Sequence, residues 1–228
     1  MKIYNVIGDL HGKDPKKYFD KECINIFVGD YFDPYDNTPF DKMQENFLKL
    51  MNLKRDYPDN TILLYGNHDF HYIIYGMEKY SRYSKWNASR IIELFNEFED
   101  YFNGVAYNAG GKLVTHAGVS KIWLRTKGIE EYKSIDGLVE SINSLWWDKD
   151  ERYFNFSFEY NGEAFDMYGT SQQQSPLWIR AQTLVELPTD YPQIVGHTQF
   201  KDIVHHFDYT FVDCLNYSGN TYKFEIEE

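Results

Sequence analysis

Cysteine is scarce in this chain. Only Cys23 and Cys214 occur among its 228 residues, and no C-x-x-C pair is present. This spacing excludes a C-x-x-C zinc knuckle, and a bridge between two such distant positions is not expected. A chain of this length buries a sizeable core without cross-links, so we predict that both thiols are buried and structural.

Basic residues are also few. The chain has 23 Lys and Arg against 35 Asp and Glu, which leaves a formal net charge of −12. Binding along a nucleic-acid backbone requires a basic face, so we do not expect a nucleic-acid partner. Two divalent cations would invert the sign of the charge inside a site, and an acidic protein that held them could still bind a phosphate monoester.

Long apolar runs are missing as well. No segment of the sequence is long enough to span a membrane, and Asn5 and Asp9 interrupt the apolar start before a signal-peptide core could form. We therefore predict a cytoplasmic protein without a membrane partner.

Aromatic and apolar residues, in contrast, are abundant. The chain contains 20 Tyr and 17 Phe, and hydrophobic residues make up 43% of it. This composition predicts an ordered chain rather than one with a disordered tail. From the length we predict a single domain over residues 1–228.

The first functional signal is an apolar run that ends in an Asp-x-His pair. Residues 3–12 read IYNVIGDLHG, which is typical of a buried strand and a tight turn at its carboxyl end, where open α/β sheets bind ligands. Asp9 and His11 would offer a carboxylate and an imidazole to manganese, iron or zinc. Alone this is a weak signal, because an Asp-x-His pair in a loop is more often a turn residue beside a surface histidine.

The same construction recurs along the chain. Two more apolar runs end in Gly-Asp or Gly-Asn-His-Asp and a further two close with histidine, namely residues 24–30 (INIFVGD), 61–69 (TILLYGNHD), 112–118 (KLVTHAG) and 193–198 (QIVGHT). Four of the seven histidines thus follow predicted strands. The first three strands predict a shared sheet edge that carries Asp9, His11, Asp30, Asn67 and His68.

These five motifs, in the order G-D-x-H-G, G-D-x-x-D, G-N-H-[DE], H-A-G and G-H-T, resemble those of the calcineurin-like metallophosphoesterases. The resemblance extends from residue 8 to residue 198. It is strongest to the phosphoprotein phosphatase branch, which includes bacteriophage lambda protein phosphatase and bacterial diadenosine tetraphosphatases. The resemblance implies an α/β fold, a four-layer sandwich of two mixed β-sheets flanked by helices.

The resemblance also implies a dinuclear site that holds two divalent metal ions, manganese first, with iron or zinc as alternatives. Asp30 would bridge the two ions. The first metal would also bind Asp9 and His11. The second would also bind Asn67, His116 and His197. Two cations about 3.5–4 Å apart support in-line attack of a hydroxide on phosphorus.

By the same resemblance, His68 and Asp33 are the catalytic pair. His68 matches the histidine of the G-N-H motif that binds no metal, and Asp33 matches the acid that contacts it. Together they would protonate the leaving oxygen, with Asp33 favouring the charged imidazole. His71 has no such match and is predicted to be structural.

Two positions depart from the pattern of the branch. Asp33-Pro34-Tyr35 stands where these phosphatases usually read Asp-Arg-Gly, so one phosphate-clamping arginine is missing. Gln199 follows the G-H-T motif, where the wider superfamily often has a second histidine ligand. Neither departure removes a predicted metal ligand.

Substrate binding is assigned to Arg180 and Asn67. Arg180 follows an apolar run shortly before the G-H-T motif, where its fork of donors could reach a phosphate. A surface arginine is the alternative interpretation, and Arg152 is the next candidate.

Residues 119–192 contain no further ligand motif, and we predict that they form a substrate-facing insertion with a helix over residues 129–145. The alternating Phe154, Phe156 and Phe158 instead favour a strand in the core of a second sheet.

Residues 79–85 (KYSRYSK) are basic and aromatic. We interpret them as a surface turn, with contact to an acidic partner or a polyanion as the alternative.

Outside the motifs, the pattern predicts two core helices and a β-rich tail. One helix would have Thr38 as its N-cap and Pro39 as its first residue and run to about Arg55, and the other would span residues 86–102. The tail predicts antiparallel hairpins built from residues 202–206, 209–213 and 221–226.

The sequence therefore predicts a metal-dependent phosphatase that hydrolyses phosphate monoesters. A serine/threonine protein phosphatase-like enzyme acting on a phosphorylated partner is the first interpretation. A hydrolase of dinucleoside polyphosphates or small phosphodiesters is the second. A non-catalytic interaction protein on the same fold is the third, and the presence of His68 argues against it because a scaffold need not keep a leaving-group acid.

Overall fold

The chain folds into two mixed β-sheets with helices around them. The structure, a computed structural model, describes residues 1–74, 80–129, 132–150, 153–156 and 168–227. The strands are β1 (Lys2–Ile7), β2 (Ile24–Phe27), β3 (Thr61–Leu63), β4 (Ala106–Ala109), β5 (Lys112–Thr115), β6 (Gln193–Val195), β7 (Val204–His206), β8 (Tyr209–Phe211) and β9 (Tyr222–Ile226). The α-helices are α1 (Phe40–Asp56), α2 (Asn67–Ile73), α3 (Ala88–Glu97), α4 (Lys121–Thr126), α5 (Ile135–Trp147) and α6 (Ala181–Leu184).

Each sheet has parallel strands at its centre. The first sheet has the order β3-β2-β1-β9, in which β1, β2 and β3 are parallel and β9 is an antiparallel edge strand. The second has the order β4-β5-β6-β8-β7, with β5, β6 and β8 parallel between two antiparallel edges. The carboxyl ends of the parallel strands in each sheet therefore meet at one edge.

An apolar layer joins the two sheets. Val6 and Ile26 of the first sheet contact Val114 and Ile194 of the second, and all four side chains are buried. The opposite face of the first sheet packs under α1 and α3. Burial on both faces explains why the central strands read as continuous apolar runs, and it confirms the predicted α/β sandwich of two mixed sheets flanked by helices.

The structure corrects the start of α1. Thr38 donates its backbone N–H and its hydroxyl to Asp36 at 2.9 and 2.5 Å, so its side chain does not cap the helix. Pro39 is extended and takes the N-cap position, and Phe40 is the first helical residue. The helix ends at Asp56, one residue beyond the predicted end.

The other predicted helices are shorter or displaced. The segment predicted as one helix over residues 86–102 forms α3 and then a 3₁₀ turn over Glu99–Tyr101. The helix predicted over residues 129–145 begins only at Ile135, because the Ser134 hydroxyl accepts a hydrogen bond from the Gly137 N–H and caps it there. The short helices α2, α4 and α6 were not predicted.

The strand predicted through Phe154, Phe156 and Phe158 is wrong for the described residues. Phe154 and Phe156 lie in irregular backbone, and Phe158 is outside the described residues. Phe154 packs against Trp123 and Trp146, with ring centroids 5.8 and 5.4 Å apart. It therefore fills the space between α4 and α5 rather than a sheet core.

The tail forms one of the predicted hairpins. Strands β7 and β8 pair antiparallel, with His205 opposite Thr210. Strand β9 instead pairs with β1, where Tyr4 lies opposite Phe224 and the two rings stack at 5.2 Å. It covers the edge that β1 would otherwise expose, so the hairpin prediction is wrong for this strand.

Both cysteines are free and buried, as predicted. Among the residues that the structure describes, none of the helices combines the length and the apolar character needed to cross a bilayer.

Candidate metal centre

The candidate site lies where strand ends of both sheets meet. Asp9, Asp30 and Asn67 follow β1, β2 and β3, whereas His116 and His197 follow β5 and β6 of the second sheet. The His197 N–H donates to the Asp9 carboxylate at 3.1 Å, which connects the two sheets at this point. The site is therefore built between two sheet edges rather than on the single edge that the first three motifs predict.

Asp9, His11 and Asp30 form the first ligand cluster. All three are buried, and their donor atoms lie within 4.8 Å of one another. His11 Nε2 is 3.5 Å from Asp30 Oδ2 and 4.0 Å from Asp9 Oδ2. His11 Nδ1 faces the Asp33 carbonyl at 2.9 Å, and an N–H there leaves the Nε2 lone pair directed at the carboxylates.

Asn67, His116 and His197 form the second cluster. Asn67 Oδ1 is 2.7 Å from His116 Nε2 and 2.9 Å from His197 Nδ1. His116 Nδ1 faces the Val28 carbonyl at 2.9 Å, which assigns its proton to that side. An amide oxygen and an imidazole lone pair then face each other, an arrangement that a cation between them would satisfy.

Asp30 belongs to both clusters. Its Oδ2 is 3.5 Å from His11 Nε2 and 3.7 Å from His116 Nε2. One carboxylate oxygen thus faces the ring nitrogens of the first and the second cluster.

The electrostatics of the clusters favour bound cations. Burial raises the pKa of Asp30 to about 8, and burial with the neighbouring Asp213 and Asp30 carboxyls raises the pKa of Asp9 well above its usual range. Burial lowers the pKa of His116 to about 3 and also lowers the pKa of His11. Clustered carboxylates and neutral imidazoles are the donor set of Mn²⁺, Fe and Zn²⁺ sites, and His11 Nε2 has no hydrogen-bond partner within the described residues. The residues fit two divalent metal ions.

Several of these residues have a backbone that is uncommon outside glycine. His11, Asp30, Asp33 and His197 have φ values of 44°, 57°, 56° and 62°. Such conformations cost about 1–3 kcal/mol each and persist where the surroundings determine them. Here each of the four residues lies in a loop that follows a strand and contributes to the site.

Two glycines allow the close approach of the ligand loops. A Cβ at Gly66 would lie 2.2 Å from Asp30 Oδ1, and a Cβ at Gly196 would lie 2.3 Å from Asp9 Oδ1. No larger residue fits without moving a carboxylate of the first cluster.

Asp69 holds the loops after β2 and β3 together. Its buried carboxylate accepts hydrogen bonds from the backbone N–H groups of Gly66 and Asp30 at 2.8 Å and of Tyr31 at 2.9 Å. Burial raises the pKa of Asp69 to about 7, and these hydrogen bonds oppose the rise. Asp69 thereby orients the residue shared by the two clusters.

His68 and Asp33 lie beside the clusters and contact each other, with His68 Nδ1 3.1 Å from Asp33 Oδ2. Burial alone lowers the pKa of His68, but the Asp30 and Asp33 carboxylates raise it above its ordinary value. Burial raises the pKa of Asp33, and hydrogen bonds from His68, His71 and Tyr72 outweigh this effect and lower it. His71, predicted to be structural, is buried and contacts the same Asp33 oxygen at 2.8 Å.

A cavity of about 410 Å³ opens onto these residues. We call it the active-site cavity, and it is lined by Asp30, Tyr35, Asn67, His68, Tyr80, Ser81, Arg82, Phe156, Trp178, Arg180 and His197. Arg180 is close enough for its charge to lower the pKa of His197, after burial and His116. Arg152, the second candidate, lies outside the described residues.

Residues 79–85 have a position that the sequence did not indicate. Lys79 is outside the described residues, and Ser81 and Arg82 are exposed in a turn, as predicted. Tyr80, Ser81 and Arg82 also line the active-site cavity, so this surface turn lies against the site.

Asp213 is a site residue that the sequence analysis missed. It is fully buried, follows β8, and raises the pKa of Asp9. Its carboxyl shares a hydrogen bond with the carboxyl of Asp9, which raises the pKa of Asp9 and lowers that of Asp213, although burial raises the pKa of Asp213 to about 7 overall. The available signal was its place after an apolar strand, which is the pattern that selected Asp9 and Asp30.

Comparison with known proteins places the chain in a family. A sequence profile of the calcineurin-like phosphoesterases matches residues 4–217. A probable serine/threonine-protein phosphatase of Encephalitozoon cuniculi (strain GB-M1) is 27% identical over 160 residues, which cover 64% of this chain and 34% of the relative. The chain thus spans about a third of the length of that relative.

Two solved structures share the fold. A cold-active protein-tyrosine phosphatase of a psychrophilic Shewanella species superposes with a TM-score of 0.57 at 15% identity, covering 96% of this chain and 73% of that chain. A protein serine/threonine phosphatase from Saccharomyces cerevisiae superposes with a TM-score of 0.53 at 16% identity, covering 96% of this chain and 70% of that chain. At these identities the likeness is one of fold.

Proposed function

Because the chain belongs to the calcineurin-like phosphoesterase family, we propose that it is a phosphoric-ester hydrolase, and specifically a dinuclear-metal-dependent phosphomonoesterase that acts on phosphoserine or phosphothreonine in proteins. The observation that carries this proposal is the pair of ligand clusters that share Asp30. Its Oδ2 is 3.5 Å from the His11 ring nitrogen and 3.7 Å from the His116 ring nitrogen.

We propose that Asp9, His11 and Asp30 hold one divalent metal ion and that Asp30, Asn67, His116 and His197 hold the other, with manganese first and iron or zinc as alternatives. Such ions, when bound, stabilise phosphoryl oxygens as Lewis acids and supply a nucleophilic water at neutral pH. Asp69 supports the arrangement, since its contact with the Asp30 N–H at 2.8 Å keeps the shared carboxylate turned inward.

His68 is the proposed leaving-group acid. It lines the active-site cavity, and its Nδ1 is bound to Asp33, so Nε2 is the nitrogen available to the substrate. The two neighbouring carboxylates raise the pKa of His68 against the effect of burial, and the charged imidazole can therefore donate a proton to the departing alkoxide. Asp33, held in turn by His71 and Tyr72, acts as the positioning residue.

Arg180 and Asn67 are the proposed substrate-binding residues. Both line the active-site cavity, and a guanidinium can bind two phosphoryl oxygens at once. Phe156, Trp178 and Arg180 all come from residues 119–192 and line the cavity, which supports the proposal that this insertion faces the substrate.

Phosphotyrosine is a second candidate substrate. The aromatic side chains of Tyr80, Phe156 and Trp178 line one part of the cavity, and the Trp178 ring lies 4.4 Å from Tyr80 and 5.1 Å from Phe156 between centroids. Aromatic walls favour an aryl group. The Shewanella structure that shares the fold is described as a protein-tyrosine phosphatase.

One assay panel tests these proposals. Manganese-loaded protein is compared on a phosphoserine peptide, a phosphotyrosine peptide, diadenosine tetraphosphate and an aryl phosphodiester, with metal content measured by elemental analysis. We expect about two metal equivalents per chain and the highest kcat/KM on a phosphopeptide. Asp30→Asn should lose metal and activity together, whereas Asp190→Asn, an exposed control, should keep both.

Loaded protein that hydrolyses none of the four substrates would contradict the proposed function. A higher kcat/KM on diadenosine tetraphosphate than on either peptide would replace the protein phosphatase assignment with the dinucleoside polyphosphate hydrolase.

A further inference from the structure

Arg82 lies in the exposed turn at the mouth of the active-site cavity. Its guanidinium carbon is 3.5 Å from the centroid of the Tyr35 ring. The Tyr35 ring in turn meets the His11 ring edge-on at 4.4 Å between centroids. Tyr35 therefore connects a predicted metal ligand to an arginine from a distant part of the chain.

Arg82 is one of the residues that line the active-site cavity. Lys42 and Arg90, two other exposed cations, pair with Glu45 and Glu93, whereas Arg82 has no ion-pair partner among the residues that the structure describes. Its charge opposes protonation of His68, and the charge of Arg180 opposes protonation of His116 and His197. Two positive groups from separate segments thus act on one site.

We propose that Arg82 binds the phosphoryl group of the substrate together with Arg180, that Tyr35 positions it by stacking, and that this pair of guanidiniums selects dianionic monoesters. The substrate in this inference rests on the proposed phosphatase function. The choice of Arg82 rests on the geometry of the active-site cavity. Position 34, where the resemblance leads us to expect an arginine, is occupied by proline. The next residue, Tyr35, instead provides a surface on which an arginine from the turn after α2 can lie.

The chemistry of the phosphoryl group explains why a second guanidinium matters. A monoester at neutral pH presents a dianion, whereas a diester presents one negative charge and one fewer unsubstituted oxygen. Charge-assisted N–H bonds to phosphate oxygens are stronger than neutral ones, so each added guanidinium favours the dianion over the monoanion. A guanidinium also lies flat on an aromatic ring while keeping its edge donors available.

The test compares Arg82→Ala, Arg82→Lys, Tyr35→Phe and Tyr35→Ala with the parent protein. Lys85→Ala is the matched control, because Lys85 is an exposed cation of the same segment and does not line the cavity. Manganese-loaded proteins are assayed on an aryl phosphomonoester and an aryl phosphodiester. Binding of inorganic phosphate is measured separately by calorimetry, with metal content as the check on folding.

We expect Arg82→Ala to lower kcat/KM on the monoester by about 10- to 150-fold, the range for loss of a hydrogen bond to a charged group, and to lose less on the diester. Phosphate binding should weaken in parallel while metal content stays at the parent level. Arg82→Lys should recover only part of the loss, because an ammonium lacks the planar fork. Tyr35→Phe should resemble the parent and Tyr35→Ala should resemble Arg82→Ala.

Unchanged phosphate binding in Arg82→Ala would overturn the inference, as would equal losses on monoester and diester. Calorimetry measures phosphate binding, so it tests the role of Arg82 separately from the proposed hydrolytic function. A parent that binds phosphate through Arg82 but hydrolyses neither ester would sustain the inference and contradict the proposed function. A parent that binds no phosphate would overturn the inference.

Discussion

At the scale of the residue, His68 shows how its surroundings assign a role to one side chain. Burial disfavours its charged form, and the Asp30 and Asp33 carboxylates favour it. The carboxylates prevail, so the imidazole holds its proton at a higher pH than an isolated histidine does. His205, exposed on β7, has no comparable surroundings.

Replacing His68 tests this role. His68→Asn should lower kcat by about 10²- to 10⁴-fold on a phosphoserine peptide, whose alkoxide is a poor leaving group. An aryl phosphate needs less protonation and should lose less, and metal content should not change. His205→Asn is the control. Equal losses on the two substrates would show that His68 positions the substrate and does not supply the proton.

At the scale of the element, Asp69 makes the loops after β2 and β3 into one unit. Its single carboxylate receives three backbone N–H groups, one from each of Gly66, Asp30 and Tyr31. Because it is the third residue of α2, the start of the helix is fixed by the same contacts. The proposed ligand Asn67, which is the first residue of α2, is therefore positioned together with Asp30.

Asp69→Asn should damage this unit without removing a metal ligand. The amide of asparagine has one oxygen that accepts hydrogen bonds and an NH₂ group that only donates, so it cannot accept all three. A buried donor left without a partner costs about 1–3 kcal/mol. We expect a lower midpoint in denaturant unfolding and a metal affinity about 10- to 100-fold weaker, as for other residues that orient ligands. Asp41→Asn in the first turn of α1 is the control. Parent-like metal affinity in a destabilised Asp69→Asn protein would limit this residue to a structural role.

At the scale of the whole molecule, the buried charges make stability depend on pH. Asp30, with a pKa of about 8, and Asp213, with a pKa of about 7, keep protons in the folded state that the unfolded chain releases near 3.8. Their contribution to stability is complete below the unfolded pKa of 3.8 and is lost as the pH rises through the folded pKa. His116 acts oppositely, since its folded pKa of about 3 lies below the ordinary 6.5. The contribution of His116 to the free energy of unfolding therefore increases as the pH rises to about 6.5 and is constant above that pH.

Above the ordinary histidine pKa the raised pKa values of Asp30, Asp213 and His68 all act in the same direction, and each loses its contribution to stability as the pH rises. The thermal unfolding midpoint of chelator-treated protein should therefore fall between about pH 6.5 and pH 8. Saturating Mn²⁺ should reduce the fall, because cations replace the protons on the ligand carboxylates. Asp30→Asn should reduce the slope in metal-free protein, and Asp190→Asn should not. A midpoint that rises over this interval would contradict the ionisation states described for the site.

The separate contributions of local sequence and tertiary packing are clearest in the two ligand clusters. Apolar runs followed by Gly-Asp, Gly-Asn-His or Gly-His identify strands and the turns at their ends from neighbouring residues alone. That local pattern was sufficient to predict the parallel strands β1, β2 and β3 and to select Asp9, Asp30 and Asn67, which the structure brings together. It did not show that His116 and His197 approach from a second sheet.

Only the tertiary structure decided which distant groups meet. The pairing of β9 with β1, the burial of Asp213 against Asp9, and the stacking of Arg82 on Tyr35 each join segments far apart in the chain. The physical reason is that hydrophobic periodicity and turn chemistry act over a few residues. The positions of side chains from different elements depend instead on the packing of both sheets and the helices around them. The sequence by itself therefore determined the strand-turn units and the candidate ligands in them, and the packing decided the ionisation state of those side chains, their neighbours and the cavity that they line.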